Sequence, residues 1–261
     1  MIQAVQIYPP LIGLLVGALV ALTGLGGGLV LLPLLILWLK VPAIVAVGTS
    51  AVFMFFTKIG AAGLHWRRGN VDWRLALVMA CGSVPAALGG VAFLALLRLH
   101  YGAGVNDALR STIGTLLAVI AVATVLQDRL KVHRNVRLRD RLPSWMNRYN
   151  GAVITGLVGG FLVGLTSVGS GSVIMILLLL FYSMPMPALV GTDIFHAVIL
   201  TGITGLAHFE LGTVDGQLVA VLLLGAVPGV LIGAGLSNWL PAVWTRRVLL
   251  AVVVLAGVKM I

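Results

Sequence analysis

Leu22 to Leu35 reads LTGLGGGLVLLPLL, two apolar runs broken by a glycine cluster, and the chain repeats it: Leu165 to Leu178 reads LTSVGSGSVIMILL. The second copy lies 143 residues after the first, and at that offset Gly13 to Gly90 aligns with Gly156 to Gly233 without a gap. The paired residues include Gly26/Gly169, Gly28/Gly171, Pro42/Pro185, Gly48/Gly191, Thr49/Thr192, His65/His208, Asp72/Asp215 and Pro85/Pro228. Shared apolar composition would give some identity, but not His on His, Asp on Asp and Pro on Pro at one fixed offset. The chain is read as an internal duplication. In a membrane protein, such a duplication points to a transporter of two related halves with its site where they meet.

Composition puts the chain in a bilayer. With 60% hydrophobic and 9% charged residues, 261 residues cannot coat a soluble globule. The 33 glycines suit close helix packing in lipid. The apolar runs exceed those of a signal peptide and no small-residue cleavage pattern follows the first, so no removed leader is expected. One cysteine, Cys81, excludes an intrachain disulfide and a cysteine cluster for metal, and is expected as a small core residue. The net charge of +10 does not point to nucleic acid, because seven of the 17 Lys and Arg fall between Asp128 and Asn150. Flanked by apolar spans, that cluster marks a cytoplasmic loop under the positive-inside bias.

Three segments follow: a first transmembrane repeat over 1–127, a basic cytoplasmic linker over 128–150 and a second repeat over 151–261. Residues 11–22 and 29–39 are half-spans, each reaching only about 18 Å of a core about 30 Å thick. Pro42 ends the second of them. Fuller spans are expected near 43–64, 75–97 and 111–127. The second copy gives half-spans near 152–165 and 172–183, then spans near 188–207, 217–239 and 247–261. The half-helices form either a re-entrant hairpin or one broken crossing; the first makes the repeats inverted, the second parallel. Loop 65–74 carries Arg67, Arg68 and Arg74, whereas loop 208–217 carries Glu210 and Asp215 and no cation. Inversion puts these loops on opposite faces. The expected fold is therefore an all-α polytopic membrane protein of two inverted repeats, each a glycine-interrupted half-helix pair plus three transmembrane helices. Arg98 and Arg110 flank a loop this arrangement places outside, against the charge bias.

Hydrocarbon offers no partner for exposed backbone groups, so an unwound segment must be buried in protein or line a wet cavity. Glycine lets successive N–H groups converge on an anion, and the half-helix after each turn points its positive end there. The candidate substrate ligands are Thr23, Gly24, Gly26, Gly27 and Gly28 in the first turn and Thr166, Ser167, Gly169, Ser170, Gly171 and Ser172 in the second. They would hold one small anion through N–H and hydroxyl donors rather than a fixed positive side chain. Thr49 and Thr192, in the VGTS and VGTD motifs, either cap the following span or join the site. Asp193 and His196, three apart on one helix face, are candidates for proton coupling or gating. Lys58 is expected to snorkel to the interface, and His65 and His208 to anchor there. No Ser/His/Asp set or carboxylate pair suggests an enzyme, and neither a metal site nor a cofactor is expected.

GLGGGLVLLPLL at 24–35, the VGT elements at 47–49 and 190–192, and the paired loops HWRRGNVD at 65–72 and HFELGTVD at 208–215 resemble the TauE/SafE sulfite-exporter family. The resemblance covers nearly the whole chain apart from the basic linker. It implies export of sulfite or small organosulfonates such as sulfoacetate across a bacterial inner membrane. The family's glycine motif falls on Gly24, Gly26, Gly27 and Gly28, and its second copy on Gly169, Ser170 and Gly171. There Ser170 replaces a glycine and Ile176 stands where the first copy has Pro33, and the added hydroxyl bears on which oxyanion fits. The leading expectation is a secondary transporter for small sulfur-containing anions, its partners the anion and the lipid bilayer. The alternatives are a carrier of another small anion, such as a carboxylate, or a membrane assembly or anchoring subunit that contacts soluble proteins through 128–150.

Overall fold

A computed structural model describes residues 2–23, 27–129, 148–236 and 242–261. The described residues form helices and turns without a strand, as an all-α polytopic membrane protein should. In chain order the helices are α1 (Ile2–Thr23), α2 (Gly28–Pro33, continued by a π turn Leu34–Trp38), α3 (Ala43–Arg67), α4 (Trp73–Tyr101) and α5 (Val105–Arg129). After the basic linker, most of which lies outside the described residues, come α6 (Arg148–Thr166), α7 (Val173–Phe181), α8 (Met186–Glu210), α9 (Gly216–Leu236) and α10 (Ala242–Met260). Five segments are long and apolar enough to cross a membrane: Ala43–Arg67, Trp73–Leu126, Tyr149–Thr166, Met186–Glu210 and Gly216–Gly233. The second of these contains α4 and α5, separated by a short 3₁₀ turn at Gly102–Gly104.

The expected half-span 11–22 is the C-terminal part of the 22-residue α1, which runs through Pro9 and Pro10. At 1.5 Å per residue α1 reaches about 33 Å, so length alone does not make it a half-helix. What limits its partner copy, α6, is where it stops. Gly156 packs on the backbone of Met79, Gly160 on Ser83 and Gly164 on Ala87, so α6 runs parallel to α4 and ends beside the middle third of that helix. In the other copy Gly13 packs on Leu222 and Gly17 on Ala226, so α1 runs parallel to α9 in the same way. A side-chain carbon on any of these glycines would run into the neighbouring helix backbone.

The third seam pairs α3 with α8. Gly48 abuts the Thr213 carbonyl and Gly191 the Asn70 carbonyl, so the start of each helix lies beside the loop that ends the other, and the two run antiparallel. The Asp215 N–H donates to Thr49 Oγ1 at 3.1 Å, and the Asp72 N–H donates to Thr192 Oγ1 at 2.9 Å. Both aspartates then cap the next helix, Asp72 through the Leu75 N–H and Asp215 through the Leu218 N–H. In each of these pairs, residues 143 apart exchange roles. The starts of α6 and α8 both lie at the end of the bundle that holds loop 68–72. The α6–α7 pair thus leaves from and returns to one end, the re-entrant layout of the two left open by the sequence.

Trp66 stacks on Phe195 with ring centroids 5.3 Å apart, fastening the same end. At the opposite end Arg98 donates to the Leu211 carbonyl and Arg110 to the Lys259 carbonyl, 3.4 and 3.0 Å away. The two cations that ran against the charge bias are therefore used on helix C-terminal carbonyls. Cys81 is exposed on α4 and is not the core residue expected of it.

Packing of this kind makes a sharp stability contrast. Gly156→Val should lower the unfolding midpoint of the detergent-solubilised protein, by an amount corresponding to at least about 2 kcal/mol. Gly89→Ala, where no atom lies within 4 Å of the added carbon, should leave that midpoint unchanged in the same melt.

Candidate functional site

The second turn begins where the last helical bond of α6, from the Ser167 N–H to the Val163 carbonyl at 2.7 Å, gives way to a left-handed backbone. Ser167, Gly169 and Gly171 have φ of 56°, 124° and 102°. Glycine reaches such angles freely, but Ser167 holds one at a cost, and residues so held concentrate at functional sites. Thr166 Oγ1 donates back to the Leu162 carbonyl at 2.7 Å and accepts the Val168 N–H at 3.2 Å, closing the end of α6. The Ser172 and Ile174 N–H groups both reach the Gly169 carbonyl at 3.2 Å and open α7. Two buried hydroxyls of this turn, Ser167 Oγ and Ser172 Oγ, have no hydrogen-bond partner among the described residues.

Of the first turn, Gly24 and Gly26 lie outside the described residues, and Thr23 is the last residue of α1. Gly27 and Gly28 are buried at the start of α2. A side-chain carbon on Gly28 would come within 3.2 Å of the Ser167 carbonyl oxygen, so the described edge of the first turn touches the second. Val168 shares one core with Leu29, Leu31 and Met54, which binds the second turn to α2 and α3. The start of α2 is thus a neighbour of the second turn, which follows the end of α6 beside the middle of α4.

Lys58 is the residue that reading of the sequence missed. It was expected to snorkel, yet it is only 6% exposed, and its Nζ donates to the Ser170 carbonyl at 2.8 Å and to Ser170 Oγ at 3.0 Å. A fixed positive side chain therefore does stand at the turn. The available signal was an unpaired cation nine residues inside α3, facing Thr201 at the equivalent place in the other copy. Asp193 and His196 are both buried on α8. His196 Nε2 lies 2.8 Å from Ser83 Oγ, while Asp193 Oδ1 has no partner among the described residues. The duplication places Ser50 and Phe53 where the second copy has Asp193 and His196, so the polar groups near the turns belong unequally to the two halves.

Other expectations move. Thr49 and Thr192 do not cap α3 and α8; each lies seven residues past the proline that precedes its helix and accepts an N–H from the loop of the other copy. His208 is fully buried rather than interfacial, with Nδ1 3.0 Å from Thr213 Oγ1 and Nε2 3.1 Å from the Gly164 carbonyl. It ties the end of α6 to the loop after α8. His65 is half-buried and abuts the space beside Gly191. Among the described residues no group of three His, Cys, Asp or Glu is placed to hold a metal ion.

The family model described as "Sulfite exporter TauE/SafE" matches residues 10–260. Among curated proteins, the chain is 36% identical over 252 residues to "Probable membrane transporter protein YjnA" of Bacillus subtilis, covering 96% of this chain and 98% of that one. It is 26% identical to "Probable membrane transporter protein YdhB" of the same organism, at 96% and 98% coverage. It is 24% identical to "Probable membrane transporter protein MJ0441" of Methanocaldococcus jannaschii, at 84% and 80% coverage. No solved structure matches. A match over almost the whole chain, with whole-length relatives named as transporters, agrees with a bundle that buries interrupted helices: the chain is a multi-pass membrane transporter, not an enzyme, and it belongs to the TauE/SafE sulfite exporter family.

Proposed function

We propose that the protein is a secondary transporter that exports small sulfur-containing anions, sulfite or organosulfonates such as sulfoacetate, across a bacterial inner membrane. The observation that carries this reading is the meeting of the start of α2 with the second glycine turn, Gly28 against the Ser167 carbonyl, with the Lys58 ammonium on Ser170. Unwound backbone inside a membrane protein, flanked by a helix start and a buried cation, suits a small oxyanion. The family description names sulfite, and the chemistry at the turn accords with it.

In this reading the halves are inverted about the bilayer midplane, with linker 128–150 and loop 68–72 in the cytoplasm. The antiparallel α3 and α8 and the exchanged contacts between copies support it. So does the charge, since Arg67, Arg68 and Arg74 gather at one end. Alternating access follows from rocking one copy against the other around the turns. Asp193, buried near a buried cation, gives a place for a proton to accompany the anion, and His196 is held for that role by Ser83.

Three measurements test this. Gly171→Leu places a branched side chain at φ 102°, and should abolish sulfite or sulfoacetate efflux from loaded cells while the protein still inserts in the membrane. Retained efflux would remove the turn from the site. In a Cys81→Ser background, single cysteines at positions 67 and 212 should react with an impermeant thiol reagent from opposite faces; labelling from one face would end the inverted reading. Asp193→Asn should flatten the dependence of efflux on external pH, and an unchanged profile would exclude coupling through this carboxylate.

A further inference from the structure

We infer that Lys58 is the anion-binding cation of the transport site and that Ser170 holds it there between substrates. The inference rests on the anion-transport reading above and assigns its positive charge.

A buried ammonium needs compensation, because the low dielectric that removes its water leaves the charge to its neighbours. Lys58 has two acceptors, the Ser170 carbonyl and hydroxyl, and both are neutral. No described carboxylate lies within ion-pair distance; Asp193 acts on Lys58 only through space. A third N–H of the ammonium remains for another acceptor. The arrangement leaves a charged donor at this point for an anion. The hydroxyls without partners lie in the same turn, Ser167 three residues before Ser170 and Ser172 two after it. The turn thus carries one charged donor and two neutral donors without partners, and a small oxyanion with several oxygens can use more of them than a halide can.

The cation also breaks the symmetry of the duplication at one place. Thr201 occupies the position equivalent to Lys58, and Gly27 the position equivalent to Ser170. Thr201 Oγ1 is spent on the Ala197 carbonyl of its own helix, 2.6 Å away. Both members of the contact are thus peculiar to their own copy, so a single charge from the first half engages the turn of the second. When an anion takes the ammonium, the bond that joins α3 to the α6–α7 turn is exchanged for bonds through the substrate. Occupancy is thereby coupled to the contact between halves.

The test is binding to purified, detergent-solubilised protein, followed by calorimetry with sulfite, sulfoacetate and acetate, and with dimethyl sulfone as a neutral analogue. Lys58→Met should weaken sulfite and sulfoacetate at least about tenfold, as loss of a charged hydrogen bond implies, without lowering the melting midpoint. Lys58→Arg should recover part of that loss, a rescue that a packing role would not produce. Lys40→Met, an exposed lysine ahead of α3, serves as the control and should bind as the wild type does. Sulfoacetate binding by Lys58→Met equal to that of the wild type would overturn the inference, as would a wild type that binds none of the anions. Binding of acetate alone, with the tenfold loss in Lys58→Met, would overturn the sulfur reading and support Lys58.

Discussion

Hydrocarbon cannot hydrogen-bond a peptide group, and the architecture follows from that constraint. Helices end at Thr23 and Thr166 and begin again at Gly28 and Val173, and these ends inside the bundle must be walled by protein. The walls are glycine seams. Because α6 lies backbone to backbone on α4, and α1 on α9, the ends of the interrupted helices are enclosed by long helices of the opposite copy. Each copy thus supplies the cover for the other, and neither break could be buried by its own half alone.

The same crossing explains why the loops matter. Thr49 and Thr192 each accept an N–H from the loop of the other copy, and the aspartate carrying that N–H caps the next helix. Two hydrogen bonds with one geometry therefore fix where the antiparallel helices α3 and α8 begin and where α4 and α9 follow. His208 adds a link that has no counterpart among the described residues of the first copy, from that loop system to the carbonyl of Gly164 at the end of α6. The hydrogen bonds described around the second turn, and its hydroxyls from Thr166 to Ser172, belong to that copy. A framework close to symmetric holds a centre that is not, and a transporter must bind one solute with one set of groups.

Lys58 shows how burial changes the meaning of a residue. A lysine nine residues from a helix end has a stem long enough to reach the interface, and an isolated helix would send it there. In the bundle, Ser170 offers a carbonyl and a hydroxyl at hydrogen-bonding distance, and the ammonium turns inward. His208 makes the same point in reverse. A histidine at a helix end followed by an aromatic residue looks like an anchor, yet it is enclosed because the end of α6 stops beside it.

The sequence alone determined the membrane class, the duplication, the position of the second break and the family, because these rest on composition and on residues repeated at a fixed offset, which need no partner to be recognised. It placed the boundaries of α3, α4, α8 and α9 to within a few residues, since Pro42, Pro185, Asp72 and Asp215 punctuate the chain locally, whereas α5 and α10 begin well before the spans expected at 111 and 247. Only the tertiary structure decided that the α6–α7 pair returns to the end it left, that the threonines join the loops of the opposite copies, and that Lys58 meets Ser170. Each of these depends on contacts between residues far apart in the chain, 112 apart for Lys58 and Ser170, and periodicity carries no information about which copy lies against which.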